Sequence, residues 1–319
     1  MTKTKIWLIV AAALSLLGII ILASVMILNK WDFTKFSTVK FETNSYEITE
    51  DFNDISLKTD TANILFVASD TDKVQIFCHE RSKIPHTVSV KDGKLLIEAN
   101  DLRKWYEHIE FFSFDKTKIT VYMPRGEYGT LSVSGSTGDT ELPEGFNFSD
   151  IDIKVSTGDI KVGATSEKVK LCATTGDIFV ENATVESLDL CVSTGKINIS
   201  RVDATGDIAR TVSTGDAELV NVNCKNLISD GSTGDITLTS VIAIEKMNIT
   251  RSTGDVRLEA SDATEISITT DTGSVTGRLL SEKIIFAMSD TGRIDVPKTT
   301  GGGRCEITTD TGNIKIEIE

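Results

Sequence analysis

Most of the chain repeats a pattern of alternating hydrophobic and polar positions on either side of the dipeptide Thr-Gly. Aligned on the glycine, the positions seven residues before it and two and four residues after it are aliphatic in nearly every copy, and the positions between are mostly polar. The ten corner glycines, 18 to 20 residues apart, are Gly138, Gly158, Gly176, Gly195, Gly215, Gly234, Gly254, Gly273, Gly292 and Gly312. Alternation with a period of two on both sides of a fixed point predicts a strand, a corner and a second strand in each repeat.

Copies of this unit are predicted to stack on one another. A unit of about 19 residues cannot bury its own apolar face, so parallel stacking should turn each aliphatic column into a ladder with about 4.8 Å per turn. A glycine at the corner supplies a positive φ or a tight bend, and a looser second corner is expected near residues 167–168 and 186–187. Antiparallel hairpins fit less well, because they do not require the same corner in every repeat. The pattern therefore predicts an all-β, single-stranded parallel β-solenoid (β-helix).

An eleventh turn is predicted ahead of these ten. Residues 60–63 (Asp-Thr-Ala-Asn) have the same aliphatic columns around them, with Ala62 in the place of the glycine, and they resemble residues 310–313. An insertion of roughly residues 70–130 follows, and its strand-like runs and hairpin signal predict a β cap on the N-terminal end of the stack. At the other end, residues 314–319 alternate isoleucine with charged residues, which is typical of an outer edge strand that resists association.

The N-terminal segment has a different pattern, because no charged residue occurs from Ile6 to Leu28. As a helix this segment would be about 34 Å long, enough to cross a hydrocarbon core of about 30 Å. A cleaved signal peptide is the alternative, but its apolar core is usually only about 7–15 residues long, and no convincing cleavage site follows here. We therefore predict a cytoplasmic stub and transmembrane anchor (1–30), a first solenoid turn with the inserted cap (31–130) and the solenoid of Thr-Gly repeats (131–319).

The distribution of charge predicts an orientation for this anchor. The chain has a formal net charge of −14, and the part beyond residue 30 has 30 basic and 47 acidic residues, a net charge of −17. Lys3 and Lys5, which precede the span, favour a cytoplasmic N-terminus. A domain this acidic is not expected to bind nucleic acid or to dock on anionic lipid. We expect a single-pass protein of the cell membrane with an extracytoplasmic solenoid.

Three further segments, together with the Thr-Gly ladder, carry a family resemblance. They are Phe52-Asn53-Asp54-Ile55-Ser56-Leu57, Asp92-Gly93-Lys94-Leu95-Leu96-Ile97 and Lys118-Ile119-Thr120-Val121-Tyr122-Met123-Pro124. Over about residues 40–319 the chain resembles the putative adhesin family of bacterial envelope proteins, a group of β-solenoids. The resemblance implies a surface location, adhesion by name only, and a membrane span like that of many members. It supplies no catalytic residues.

The residue after the corner glycine is an aspartate in six turns. These residues are Asp139, Asp159, Asp177, Asp216, Asp235 and Asp255. Stacked carboxylates about 5 Å apart repel one another unless they are exposed to water or bridged by a cation. One interpretation is that each aspartate accepts hydrogen bonds of the turn. Calcium bound between turns is the alternative, although Lys196 interrupts the column.

Two other motifs suggest chemistry but favour a structural interpretation. Asp-Thr-Gly at residues 271–273, 290–292 and 310–312 is the tripeptide of aspartic proteases. A catalytic dyad requires two such loops to face each other across a cleft, whereas these are rungs of one ladder. Cys172 and Cys191 are predicted to be neighbours on adjacent turns. We expect free stacked thiols there, because parallel in-register side chains have poor geometry for the alternative, a disulfide.

Aromatic residues are concentrated in one part of the insertion. Trp105-Tyr106-Glu107-His108 is followed by Phe111, Phe112 and Phe114. We expect these rings to form the core of the cap; if they are exposed, they would make an amphipathic contact for a partner or for lipid.

The residues of the ladder favour a non-enzymatic function. Residues 131–319 contain no Trp, Tyr or His, whereas a sugar-cleaving groove normally needs stacking aromatics and paired carboxylates. We therefore expect no catalytic residue and no cofactor, and we interpret the chain as a surface binding or adhesin-like protein with an unknown envelope partner. An accessory or regulatory protein of the envelope stress response is the alternative, and a polysaccharide-acting enzyme fits least well.

Overall fold

The computed structural model describes residues 3–28, 30–31, 39–104 and 115–319. Within them the chain forms one helix, α1 (Lys3–Leu28), and 24 strands. The strands are β1 (Phe41–Ile48), β2 (Asp54–Thr61), β3 (Asn63–Ser69), β4 (Val74–Arg81), β5 (His86–Lys91), β6 (Lys94–Ala99), β7 (Lys118–Pro124), β8 (Gly126–Thr137), β9 (Thr140–Leu142), β10 (Phe146–Thr157), β11 (Ile160–Val162), β12 (Thr165–Thr175), β13 (Ile178–Glu181), β14 (Thr184–Thr194), β15 (Ile197–Ala204), β16 (Asp207–Thr214), β17 (Ala217–Thr233), β18 (Ile236–Thr253), β19 (Val256–Thr272), β20 (Val275–Leu279), β21 (Lys283–Thr291), β22 (Ile294–Asp295), β23 (Gly303–Thr311) and β24 (Ile314–Ile318). From β8 onwards every strand pairing is parallel, which confirms the predicted all-β parallel solenoid.

The turns in the middle of the stack contribute to three parallel ladders. Residues before the corner glycine form the first ladder, in which β12 pairs with β14 and β14 with β16. Residues after the glycine form the second ladder, in which β11 pairs with β13 and β13 with β15. The third ladder is short and includes the pairs Thr184 with Asp203 and Val185 with Ala204. The first two ladders are the two strands that the hydrophobic pattern predicts, and the third is an addition.

The corner glycines are required by both backbone conformation and space. Nine of the ten have φ between 125° and 158°, a region that L side chains rarely adopt. In all ten, a Cβ atom would lie less than 3.0 Å from a carbonyl oxygen of the residue in the same column of a neighbouring turn. At Gly292 only the lack of space requires a glycine. Its φ lies outside the positive range, but a Cβ there would still lie less than 3.0 Å from the carbonyl oxygen of Gly312.

A second corner, six residues after the glycine, is made by residues with side chains. In five consecutive turns it has φ between 47° and 55°. These residues are Asn182, Arg201, Asn221, Ser240 and Ala260. The looser corner expected near residues 167–168 and 186–187 instead lies within continuous strands, β12 and β14, where the pairing skips residues 167 and 186. The left-handed corner escaped prediction because its residue types differ from turn to turn.

The inward side chains of all three ladders form one apolar core along the stack. In the first ladder, Leu188, Ile208 and Leu227 follow one another in register and are fully buried. In the third ladder, Val185 and Ala204 are paired and both are buried.

The N-terminal end of the stack begins with the turn formed by β2 and β3. Ile55 pairs with Leu131 and Ile64 with Thr140, and the N–H of Ala62 donates to the carbonyl of Thr137 over 3.0 Å. Residues 60–63 thus take the place in the stack that their likeness to 310–313 predicts. On the outer side of this turn, β6 pairs with β2 and β7 with β3, both in parallel. The antiparallel strands β5, β4 and β1 then complete a cap.

The C-terminal end of the stack has its last two turns in exchanged order. β23 lies between β19 and β21, so that Ile307 pairs with Ile268 on one side and with Ala287 on the other. β24 likewise lies between β20 and β22. The prediction that residues 314–319 form the outer edge is therefore wrong, because β21 and β22 form the outermost turn.

This exchange depends on the connections around β21 and β22. After β20 the chain skips one turn of the stack and continues in β21. After β22 it returns through residues 296–302 and fills the skipped turn with β23 and β24. Gly302 has φ of 95° and passes so close to Glu282 that a Cβ there would lie less than 3.0 Å from the carbonyl oxygen of that residue. Thr299 donates from its hydroxyl to the carbonyl of Lys283. The returning segment is therefore held directly against the outermost turn.

Candidate functional site

The column of residues after the glycines forms a hydrogen-bonded ladder on both sides of Lys196. In each case a side-chain oxygen accepts the backbone N–H of the residue in the same column of the next turn, over 2.7–3.2 Å. The accepting residues are Asn63, Asp139, Asp159, Asp177, Asp216, Asp235, Asp255, Ser274 and Asn313. All six candidate calcium ligands therefore give one carboxylate oxygen to the backbone, as expected for residues that stabilise a turn.

Lys196 interrupts this ladder and compensates for the interruption through its ammonium group. Its own N–H donates to Asp177 Oδ1 over 2.7 Å, but its side chain offers no acceptor to the next turn. Instead, Lys196 Nζ lies 3.0 Å from Asp216 Oδ2. This contact raises the pKa of the Lys196 ammonium and lowers the pKa of the Asp216 carboxyl. Both side chains are exposed, so the pair contributes little to stability.

One cluster of metal-ligating side chains occurs in the described part of the chain, and it lies in the cap. Ligand atoms of Cys78, Glu80 and His86 lie within 4.8 Å of one another, and all three residues are buried. Glu80 Oε2 accepts the N–H of His86 over 2.7 Å and lies 2.5 Å from His86 Nδ1, while Glu80 Oε1 accepts from Asn44 over 2.7 Å. Burial raises the pKa of the Cys78 thiol to about 12. The cluster is thus a hydrogen-bonded node that ties β5 to β4.

The three Asp-Thr-Gly tripeptides lie on adjacent rungs of the first ladder. Thr311 pairs with Thr272 on one side and with Thr291 on the other. The tripeptide at 310–312 therefore lies between those at 271–273 and 290–292. Since the three stack side by side and do not face one another across a cleft, they do not form the dyad of an aspartic protease.

Cys172 and Cys191 are joined by a disulfide between adjacent turns. The two residues are paired in the first ladder, and their Cα atoms are 4.6 Å apart, within the range that a disulfide requires. The expectation of free thiols is therefore wrong, because the spacing between adjacent turns is short enough for the bond. The remaining cysteines, Cys78, Cys224 and Cys305, are buried thiols, and burial raises the pKa of each to about 12.

A cleft of about 680 Å³ opens where the chain exchanges its last two turns. Ile244 and Leu280 contribute exposed apolar side chains to its wall. Beside them Lys283, with a side chain only 3 % exposed, holds its Nζ 2.6 Å from Oδ1 of Asp262, which is 13 % exposed. The hydroxyl of Ser281 donates to Asp262 Oδ2 over 2.6 Å and accepts from Lys283. We refer to these five residues as the distal cleft.

The distal cleft was not predicted. Its residues come together only because the outermost turn lies next to the exchanged turn, while the Thr-Gly spacing there stays at 19 and 20 residues. The one local signal is the run Gly301-Gly302-Gly303, which marks the returning segment. The aromatic residues of 105–108, with Phe111, Phe112 and Phe114, lie outside the described residues.

Helix α1 is long and apolar enough to cross a membrane over Thr4–Leu28, and Met26 is the one buried residue of that stretch. By length and composition it is consistent with a single-pass anchor or with a signal sequence.

The chain belongs to the Toastrack DUF4097 family, whose model matches residues 52–213 and 205–319. This membership confirms the resemblance to the putative adhesin family. The matched residues include the first solenoid turn, most of the cap and the whole ladder. No curated protein matches the chain.

Three solved structures are among those similar to the chain. A protein from Bacteroides fragilis described as a putative adhesin is 18 % identical, with 87 % of this chain and 97 % of that chain covered and a TM-score of 0.39. A putative adhesin from Parabacteroides distasonis is 11 % identical, with 87 % and 98 % covered and a TM-score of 0.43. A third, described as a putative lipid binding protein from Parabacteroides distasonis, is 11 % identical, with 86 % and 96 % covered and a TM-score of 0.36.

Proposed function

We propose that the chain is a membrane-anchored, extracytoplasmic solenoid that acts as a non-enzymatic surface binding protein, similar to an adhesin. In this proposal residues 1–30 are a cytoplasmic stub and anchor, residues 31–130 are the first turn with its cap, and residues 131–319 are the projecting rod. The cytoplasmic placement of the N-terminus follows from Lys3 and Lys5.

The observation that carries the proposal is the position of the distal cleft relative to the cap. Ten to eleven turns at about 4.8 Å give a rod of about 50 Å. The apolar core is continuous along the rod, and the aspartate ladder follows one corner of it. Such a stack is rigid, and it holds the distal cleft at the end of the ladder opposite to the cap, where a partner at a distance from the membrane could be reached.

The chemistry of the distal cleft suits binding and not catalysis. Lys283 and Asp262 neutralise each other at 2.6 Å, and the hydroxyl of Ser281 is hydrogen-bonded to Asp262. The polar groups are therefore committed to one another, while Ile244 and Leu280 remain exposed for contact. A pocket with apolar walls and a few fixed polar groups is typical of a binding site.

Anchoring and orientation can be tested with the full chain carrying a C-terminal epitope in a bacterial host. We expect the epitope to stay with membranes after alkaline extraction and to be removed by protease added to intact cells. An epitope protected from protease in intact cells, or released by alkaline extraction, would contradict the proposed topology.

Binding can be tested with vesicles that carry the full chain, applied to a panel of extracellular polysaccharides and matrix proteins. We expect retention on some members of the panel, and we expect the double variant Ile244→Asp/Leu280→Asp to lose it. The matched control is Ile228→Asp, which changes an exposed isoleucine on the side of the rod. Release of shortened polysaccharide would instead support an enzyme, and equal retention by all three proteins would exclude the distal cleft as the contact surface.

A further inference from the structure

Two arginines lie in the interior of the solenoid, in inward columns whose other members are uncharged. Arg210 and Arg251 are each 1 % exposed. Arg210 follows Leu190 in register within the first ladder, and Arg251 precedes Thr270 in a neighbouring inward column. They are two turns apart, so a single turn separates them.

The turn between the two arginines is adapted to them. Ser229 pairs with Arg210 in register, and Gly231 pairs with Arg251. A Cβ atom at Gly231 would lie less than 3.0 Å from Arg251 Nη1, which means that the guanidinium of Arg251 fills the space of the missing side chain. Arg251 therefore extends back along the rod, towards the turn that contains Arg210.

Neither guanidinium group has a hydrogen-bond partner among the residues that the structure describes. All six guanidinium nitrogens, Nε, Nη1 and Nη2 of both arginines, are buried and unpaired, and so is the hydroxyl oxygen of Ser229. Arginine donates five hydrogen bonds and accepts none, and it stays protonated in proteins. The site thus presents two positive charges and up to eleven donor hydrogens within an apolar core.

Electrostatics makes this arrangement costly without a negative partner. Burial lowers the pKa of Arg210 well below its usual range, and the charge of Arg251 lowers it further. Burial also lowers the pKa of Arg251, against the opposing effect of the carboxylates of Asp216, Asp235 and Asp230. Those carboxylates act only at a distance, since neither arginine forms an ion pair with them among the described contacts. Buried charges in native proteins are paired, because an unpaired charge costs several kcal/mol.

We propose that Arg210, Ser229 and Arg251 form an internal site for a small inorganic anion of the size of a halide. An anion between the two guanidinium groups would accept their unpaired donors and that of Ser229, and it would compensate both charges at once. A halide suits such a site better than a polyatomic anion, because it needs no fixed acceptor geometry and takes up less volume in a close-packed core. Water could accept some of these hydrogen bonds, but it would leave the two charges uncompensated.

The proposal is tested by unfolding the full chain in neutral detergent, at constant ionic strength, as gluconate is replaced by chloride or bromide. An anion bound only by the folded state raises the folding equilibrium constant by a factor of one plus the ratio of its concentration to its Kd. We expect a rise of about 100-fold when chloride reaches 100 times its Kd. We expect none in the double variant Arg210→Met/Arg251→Met, whose apolar side chains need no anion. The matched control Arg278→Met changes an exposed arginine and should keep the full dependence on chloride.

Diffraction from bromide-soaked crystals of the unaltered chain provides a test that does not depend on the folding of a variant. We expect an anomalous peak between the guanidinium groups of Arg210 and Arg251. The proposal is overturned if no peak is found there, or if the unaltered chain and the double variant respond equally to chloride.

Discussion

The middle of the solenoid and its C-terminal end have the same sequence pattern but are assembled differently. From Gly176 to Gly254 each turn packs on the turn that precedes it in the chain, and each corner glycine approaches the preceding one. Beyond Gly273 the pattern continues with the same spacing, yet Gly312 packs on Gly273 and Gly292 packs on Gly312. The comparison shows that the columns determine how two turns fit together, whereas the connections determine which two turns meet.

The largest effect is expected from a side chain at a corner in the middle of the stack. In Gly215→Ala the alanine would have to adopt a positive φ, and its Cβ would lie less than 3.0 Å from the carbonyl oxygen of Gly195. Strain and the displaced backbone together should lower the free energy of unfolding by about 3–5 kcal/mol. Chemical denaturation measures this difference.

Gly126→Ala is the matched control, because a Cβ at Gly126 has no atom within 4 Å and its φ is not positive. Equal stability of the two variants would show that close packing between turns does not depend on the glycine column.

The exchanged turns can be weakened at their buried ion pair. Asp262→Asn leaves the Lys283 ammonium, which is 3 % exposed, without its carboxylate partner. Removing one member of a buried pair costs about 3–5 kcal/mol, and the partial exposure of Asp262 places the expected loss near the lower value. The double variant Asp262→Asn/Lys283→Met should recover much of that loss in the same denaturation assay.

A pair in the middle of the stack is the comparison for this variant. Lys246 and Glu265 lie 3.2 Å apart but are 66 % and 54 % exposed. Glu265→Gln should therefore change stability by less than about 1 kcal/mol. If Glu265→Gln is as destabilising as Asp262→Asn, burial is not what makes the pair of Lys283 and Asp262 important.

Removal of the disulfide should have a comparable or slightly smaller effect. Cys172 and Cys191 close a loop with a sequence separation of 19, for which the loss of chain entropy predicts about 3 kcal/mol. The variant Cys172→Ala/Cys191→Ala should be destabilised by at most this amount, because the register of its turns is also maintained by the ladder. Thiol labelling of the unfolded, unreduced chain should modify three cysteines, and labelling of all five would contradict the disulfide.

The aspartate ladder is expected to make a smaller contribution. Asp235→Ala removes the acceptor for the N–H of Asp255, now at 2.8 Å, and should cost about 1 kcal/mol, since that N–H can turn to water. Asp235→Asn keeps an acceptor oxygen and should be close to neutral. A loss in the asparagine variant equal to that in the alanine variant would mean that charge, and not hydrogen bonding, is the important property.

The smallest effect is expected from calcium. Because each aspartate of the column gives one oxygen to the backbone, and no three of the described carboxylates lie within 4.8 Å of one another, we expect the same melting midpoint in millimolar calcium and in chelator. An increase of several degrees with calcium would favour bridging ions between turns and would weaken the structural interpretation.

Much of the fold could be predicted because a stacked repeat presents the same problem in every turn. The place of Ala62 at the first corner follows from the columns around it, and its N–H donates to the carbonyl of Thr137 in the next turn as the N–H of Gly138 donates to the carbonyl of Thr157. Arg210 also stands in a column that is aliphatic in most other turns, so its departure from that column is a signal of a special site that can be read without coordinates.

The sequence alone determined the parallel solenoid, the glycine corners, the first turn and the apolar N-terminal segment, because each depends on residues close in the chain or on a periodic column. Only the tertiary structure decided the order of the last two turns, the bond between Cys172 and Cys191, the distal cleft and the burial of Arg210 and Arg251 without hydrogen-bond partners among the described residues. Those features depend on which turns become neighbours, and identical columns allow more than one neighbour, so distances between turns and the path of the connections make the choice.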